Sequence, residues 1–230
     1  MPAETTISRG VLSDAVKDRI LQGILDGTYP PGSRIVETRV AKALGTSQAP
    51  VREALRDLEA LGVVEIAAFR GARVRHPSRD ELLEAYIVRA ELEAMAARLA
   101  VPQLTPEDHD HMAGLLDQML RAAEAGDTVA EAAADAAFHG YLVERAGNGT
   151  LRRVWSQLEP YSRTYINMAM PGGDRREMAA LHRPVLDALR SGDTAEAEAA
   201  IRGHFATARS SLATRWIESG VPAPASERNR

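Results

Sequence analysis

From Ser78 onward every segment of the chain repeats its apolar residues at helical spacing and none alternates, so roughly the last two thirds cannot be built around a sheet. Ala, Leu, Glu and Arg dominate there, which predicts an all-α domain. Pro102, Gly126, Gly147-Asn148-Gly149, Pro171-Gly172-Gly173 and Gly192 cut it into helices expected over Arg79–Ala100, Thr105–Ala125, Thr128–Arg145, Thr150–Met168, Asp174–Ser191 and Thr194–Glu218. Gly126-Asp127-Thr128 and Gly192-Asp193-Thr194 each stop one helix and start the next. Glu131 and Glu196 lie three after Thr128 and Asp193, where capping boxes would place them.

The stretch before Ser78 is organised differently. Val16, Ile20 and Ile24 mark a helix over Ser13–Asp26, with Ser13 as N-cap, and Gly27 and Tyr29-Pro30-Pro31-Gly32 end it. A second helix, Glu37–Leu44, buries Val40, Ala41 and Leu44 and stops at Gly45. Ser47 caps a third, whose inward stripe is Val51, Leu55 and Leu58; Pro50 falls in its first turn, where a missing N–H costs little. Val63–Ile66 and Ala72–Arg75 then read as two short strands around Phe69-Arg70-Gly71. The predicted layout is a winged helix-turn-helix over residues 8–76, an all-helical domain over 79–218 and a disordered tail over 219–230.

A length of 230 residues accommodates two modest domains of about 100–150 residues each. Cysteine is absent, which excludes disulfides and thiolate metal sites and suits a reducing cytoplasm. No apolar run approaches the roughly 18 residues that a membrane span needs, so no membrane partner is expected. The net charge is −4, yet Val11–His76 holds ten Lys or Arg against eight Asp or Glu. Only that first part leans toward a polyanion, and only slightly.

Helix, turn, helix and hairpin is the geometry that lays one helix in a major groove and a wing along the neighbouring backbone. The outer side of the third helix offers Ser47, Gln48, Arg52 and Arg56, with Gln suited to adenine and Arg to guanine or phosphate. Arg34, Thr38, Lys42, Arg70, Arg73 and Arg75, with Gly71 in the hairpin turn, are expected at phosphates or in the minor groove. Ser47-Gln48-Ala49-Pro50-Val51-Arg52-Glu53-Ala54-Leu55, followed by Leu58-Glu59 and Leu61-Gly62-Val63-Val64, resembles the GntR family of winged-helix regulators, over Val11–Val74. Gln48 stands where most relatives carry Arg, which alters the base preference the family would imply.

The remainder resembles the FadR-type, or FCD, ligand domain, which implies a mainly α chain ending in a six- or seven-helix bundle that dimerises and holds an effector. Asp135 and His139, four apart, share a helix face and can grip one ion. FCD proteins use an Asp-x-x-x-His pair and two later histidines as metal ligands, which on this chain implies Asp135, His139, His182 and His204. Zinc is the expected ion, and nickel, manganese and ferrous iron suit the same donors. His109 and His111, two apart, point to different sides and cannot chelate together.

The same resemblance puts Arg89 in the effector cavity, where its guanidinium would fork onto a carboxylate; the residue pattern equally allows an internal pair with Glu93 or Asp135. Arg145, Asn148, Arg163 and Tyr165 are lesser effector candidates. Pro184, inside the predicted fifth helix of the bundle, would bend it beside His182. The function implied is a non-enzymatic homodimeric transcription regulator that reads palindromic half-sites in duplex DNA and responds to a small carboxylate. Two other readings remain open: a metal-dependent hydrolase or lyase, and a metal-free regulator sensing an acyl-CoA or larger ligand.

Overall fold

The computed structural model describes residues 9–67, 71–75, 78–158 and 174–218. The chain divides into two compact units, Met1–His76 and Pro77–Arg230.

The first unit runs α1 (Arg9–Leu25), β1 (Arg34–Ile35), α2 (Glu37–Ala43), α3 (Gln48–Ala60), β2 (Val64–Ala67) and β3 (Gly71–Val74). Val16, Ile20 and Ile24, one helical turn apart, are buried, and α1 packs against α3, whose Val51, Leu55 and Leu58 are equally enclosed. Two expectations fail here. Ser13 lies inside α1 as a buried residue and is not its cap. Leu44 is exposed, because it forms the C-cap of α2 and its N–H bonds to Val40 O. The sheet has three antiparallel strands, ordered β1-β3-β2, where two were expected. The two residues of β1 are too few to show alternation, yet Arg34 pairs with Arg73 and Ile35 with Ala72. Ile35, Val64, Ala72 and Val74 turn inward, which leaves Arg34, Glu65 and Arg73 on the solvent face.

In the second unit, α4 (Arg79–Ala100), α5 (Pro106–Ala125), α6 (Thr128–Arg145), α7 (149–158), α8 (Arg175–Ala180), α9 (Arg183–Ser191) and α10 (Thr194–Glu218) make seven α-helical segments among the described residues, with one 3-10 turn, Val101–Gln103, after α4. Ala197, Ile201, Phe205, Ala208 and Leu212 form the inward stripe of α10 against α4. Tyr86 of α4 meets Phe205 there with ring centroids 5.9 Å apart. The predicted helix over 174–191 is broken. Residues 181 and 182 form a turn, and Pro184 occupies the first turn of α9, where no N–H is required. The expected capping boxes at Glu131 and Glu196 also differ. Asp127 caps α6 through the Ala130 N–H, while Glu131 reaches Arg175 and Glu196 accepts from Ser191 Oγ.

A capping box does form at α5, where the Asp108 carboxylate accepts from the Thr105 N–H (2.9 Å) and the Thr105 hydroxyl accepts from the Asp108 N–H. The same carboxylate accepts from the Tyr141 hydroxyl and pairs with Arg145 Nη2 at 2.8 Å, fastening α5 to α6. The Tyr141 bond first, then the Thr105 N–H, hold this carboxyl down at about 2. A depressed folded-state value stabilises above the unfolded value of about 3.9 and loses that contribution as pH falls toward 2. The gap in melting temperature between wild type and Asp108→Asn is therefore expected to be widest above pH 4 and to close near pH 2. Circular dichroism melts across that range check it, and a pH-independent gap would refute it.

Candidate functional site

Two groups of side chains carry chemistry, one in each unit. In the first, α3 exposes Gln48, Arg52 and Arg56 at successive steps of four, with Ser47 at its N-cap position. The Ser47 side chain makes no capping bond. Arg52 is tethered: its Nε donates to Glu37 Oε2 of α2 at 2.7 Å and its Nη2 to Gln48 Oε1 at 3.0 Å. The Gln48 oxygen thus accepts from Arg52, and its amide nitrogen has hydrogens to donate. Thr38 and Lys42 are exposed on α2.

Arg34 and Arg73 sit directly opposite on β1 and β3, a like-charge pair that disfavours the sheet unless something compensates. Glu65 pairs Arg73 from the other side and Arg73 Nη1 donates to Gly32 O at 3.1 Å. Gly71 adopts φ +77° at the start of β3, and the Arg34 guanidinium lies 3.4 Å from where a Cβ would be. Arg75 is half-buried, and Arg70 lies outside the described residues.

In the second unit, α6, the turn before α9, and α10 bring His139, His182 and His204 together, with one ligand atom of each within 4.8 Å of the others. All three imidazoles are buried. His139 Nε2 and His182 Nε2 face each other at 3.0 Å, and Asp135 Oδ1 lies 3.2 Å from His182 Nε2 and 3.8 Å from His139 Nε2. The far nitrogens are committed elsewhere. His182 Nδ1 donates to Ala179 O at 3.0 Å and His204 Nδ1 to Leu181 O at 3.4 Å, while His139 Nδ1 meets Glu93 Oε2. A carbonyl oxygen only accepts, so the Nδ1 atoms of His182 and His204 carry the protons and their Nε2 lone pairs point inward.

Acceptors crowded in this way must share a proton or a cation. Two donors about 2.1 Å from one ion at a right angle are about 3.0 Å apart, the spacing that the His139 and His182 nitrogens have. Burial, and then the neighbouring imidazoles, hold His204 well below the usual imidazole value, so it is neutral, as a metal ligand must be. Burial opposes ionisation of Asp135, but His182 and His139 hold its carboxyl well below the ordinary range. The residues fit a divalent cation: three converging imidazole nitrogens, one carboxylate, and a buried carboxylate behind one of the imidazoles.

That last group is Glu93, which the sequence offered only as a pairing partner of Arg89. It is fully buried and its Oε1 accepts from Trp155 Nε1 at 2.7 Å and from Arg89 Nε at 3.0 Å. Burial alone would push its carboxyl up; His139 and Arg89 overcome this and bring it to about 2. Arg89 is itself 2% exposed and lies over the Phe205 ring at 5.0 Å. The structure thus places Arg89 behind the cluster, bound to the carboxylate that orients His139.

Among the described residues, the effector candidates Arg145 and Asn148 do not join the cluster. Arg145 pairs with Asp108, and its carbonyl accepts from Gln103. Asn148 Oδ1 accepts from the N–H groups of Thr150 and Leu151, which caps α7. Arg163 and Tyr165 lie outside the described residues. His111 stacks on Tyr141 with centroids 4.4 Å apart, and neither it nor His109 belongs to the cluster. No described helix is long and apolar enough to cross a membrane.

Residues 12–74 match the family model described as bacterial regulatory proteins, gntR family, and residues 84–207 match the FCD domain. A relative from Paenarthrobacter nicotinovorans named "Probable D-xylose utilization operon transcriptional repressor" is 38% identical over 203 residues, 87% of this chain and 88% of the relative. The transcriptional regulator McbR of Escherichia coli K12 is 28% identical over 197 residues, 84% of this chain and 89% of McbR. The solved structure of E. coli McbR/YncC superposes with a TM-score of 0.78 at 26% identity, covering 92% of this chain and all of that one. With a GntR helix-turn-helix and an FCD domain matched in succession, the chain belongs to the GntR family of bacterial transcriptional regulators.

Proposed function

We propose that this regulator reads palindromic half-sites as a homodimer. In this reading its FCD domain holds a divalent cation, zinc foremost, through Asp135, His139, His182 and His204. A small organic acid bound beside that cation changes the affinity for DNA. The observation that carries the reading is the convergence of three inward imidazole lone pairs and one carboxylate, each remote nitrogen being engaged by a second group. A bound cation supplies a Lewis-acidic attachment point for a carboxylate. The chain's own residues do the rest: Glu93 fixes the tautomer and direction of His139, Ala179 and Leu181 fix those of His182 and His204, and Asp135 closes the ring of donors.

Base contacts are assigned to Gln48, Arg52 and Arg56, and backbone contacts to Arg34, Thr38, Ser47, Arg70 and the Gly71 turn. Val88, Met95 and Leu99, seven and four apart on α4, expose an apolar stripe suited to a second copy. Similarity to a relative named as an operon repressor favours repression. Hydrolysis would need a free base beside the cation, and Glu93, the carboxylate behind His139, is fully buried and engaged by three donors. An acyl chain would need an apolar lining where the three imidazoles stand.

Whatever its sign, the response is limited by the difference in affinity of the acid for the two states. Metal analysis of the purified protein should give one divalent ion per chain. Chelation should lower the melting temperature by a margin that grows with the free metal it removes, about 4 kcal/mol at a thousandfold excess over Kd. Protein that neither copurifies with a metal nor is stabilised by zinc, nickel, manganese or iron would refute the metal reading.

A further inference from the structure

We infer that Gly140 and Trp155 are positioning residues of the metal centre: the indole, seated on the bare backbone of α6, aims its N–H at Glu93 and so fixes the carboxylate that holds His139. This rests on the metal reading above.

Gly140 lies inside α6, one residue after His139, at neither a cap nor a positive φ. A glycine in mid-helix weakens the helix relative to alanine, so its presence asks for a local reason. Here the reason is the indole. A Cβ at Gly140 would stand 3.3 Å from Trp155 Cη2 and 3.6 Å from Cζ3, and among the described residues no group from another element comes as near. Gly114 of α5 and Gly203 of α10, also in mid-helix, would place a Cβ in open space.

The far edge of the indole thus rests on α6, while its nitrogen meets α4. Trp155 is 8% exposed, and its Nε1 donates to Glu93 Oε1 at 2.7 Å. Arg89 reaches that same oxygen from one turn back along α4, with Nε at 3.0 Å and Nη2 at 2.9 Å. Both donors therefore occupy Oε1, and Oε2 serves His139 Nδ1. The last torsion of a glutamate is soft, and a hold from its own helix alone would let the carboxylate swing. The indole supplies a second direction, from α7, and two holds on one oxygen set the plane in which the other meets the imidazole. An ionised carboxylate only accepts, so the His139 proton stays on Nδ1 and its Nε2 lone pair faces Asp135 and His182.

The experiment measures the zinc affinity of the full chain by competition with a chromophoric chelator, alongside the visible absorption of the cobalt-loaded protein. Trp155→Phe keeps an aromatic ring and deletes the N–H; it should weaken zinc binding about tenfold and shift the cobalt bands. Gly140→Ala keeps the N–H but displaces the ring, and should weaken zinc binding about threefold. Gly114→Ala and Gly203→Ala should stay within about twofold of wild type. In Glu93→Gln the single oxygen that serves the indole and Arg89 leaves an amide nitrogen toward His139. On that background Trp155→Phe should change zinc affinity by less than about twofold.

A packing role alone would lower the melting temperature of metal-free Trp155→Phe while zinc affinity and cobalt bands stayed those of wild type, and that result overturns this inference. A full tenfold loss on the Glu93→Gln background overturns it as well. If Trp155→Phe does not fold, Gly140→Ala against Gly114→Ala carries the test, and equal zinc affinities overturn it. If wild type binds neither zinc nor cobalt, the metal reading falls and takes this inference with it.

Discussion

Glu93→Ala is expected to destabilise the second unit by about 3–5 kcal/mol, the usual cost of removing one partner from a buried ion pair. The substitution takes from Arg89, 2% exposed, the carboxylate that its Nε and Nη2 contact at 3.0 and 2.9 Å. It also withdraws the acceptor of Trp155 Nε1 and the partner of His139 Nδ1, so three buried donors lose one acceptor together. Both tryptophans, Trp155 and Trp216, belong to the second unit, so urea titration followed by fluorescence reports its unfolding. Metal affinity should fall in parallel by about 10- to 100-fold, as for other groups that support a ligand from behind. Glu93→Gln keeps the shape and one acceptor oxygen and should lie between the two. A loss of stability below about 1 kcal/mol in Glu93→Ala would show that the pair has little worth.

The second large effect is expected at Arg52. Arg52→Ala should weaken binding to the cognate duplex by about 2 kcal/mol per half-site, or about 30-fold, while binding to unrelated duplex changes far less. The reasoning is geometric: a 58% exposed guanidinium held by Glu37 and Gln48 is already ordered before DNA arrives, so little side-chain entropy is left to lose. Glu37→Ala keeps the cation but releases it, and should cost less than Arg52→Ala. Fluorescence anisotropy at one fixed salt concentration, with specific and scrambled duplexes, separates the two terms. A uniform loss on both duplexes would make Arg52 a phosphate contact rather than a reader of bases.

Much of this architecture is legible in the sequence because glycine and proline punctuate it. Gly45, Gly62, Gly71, Gly126 and Gly192 all adopt positive φ at the ends of elements, and the apolar stripe of each helix between them is buried as its spacing requires. Asp135 and His139 could be paired by spacing alone, since both lie on α6. His182 and His204 could not; only the fold brings them there, from 43 and 65 residues away from His139 in the chain. Glu93 was hidden for the same reason, since its partners His139 and Trp155 are 46 and 62 residues distant. An acid flanked by Ala94, Ala96 and Ala97 was the local signal available. Arg145 and Asn148 were plausible ligands by residue type, but Asp108 and the first turn of α7 have prior use of them.

The interruption between α8 and α9 has a consequence for how such a centre can change over time. A helix running unbroken through residues 179–185 would bond the carbonyls of Ala179 and Leu181 to amides four residues ahead. Pro184 sits in the fresh first turn that follows the break, and those two oxygens serve His182 and His204 instead. Donor identity and donor protonation are thereby written at different positions. Substitutions at Ala180, Leu181 or Arg183 to Val185 can redirect the imidazoles of His182 and His204 while both histidines are kept.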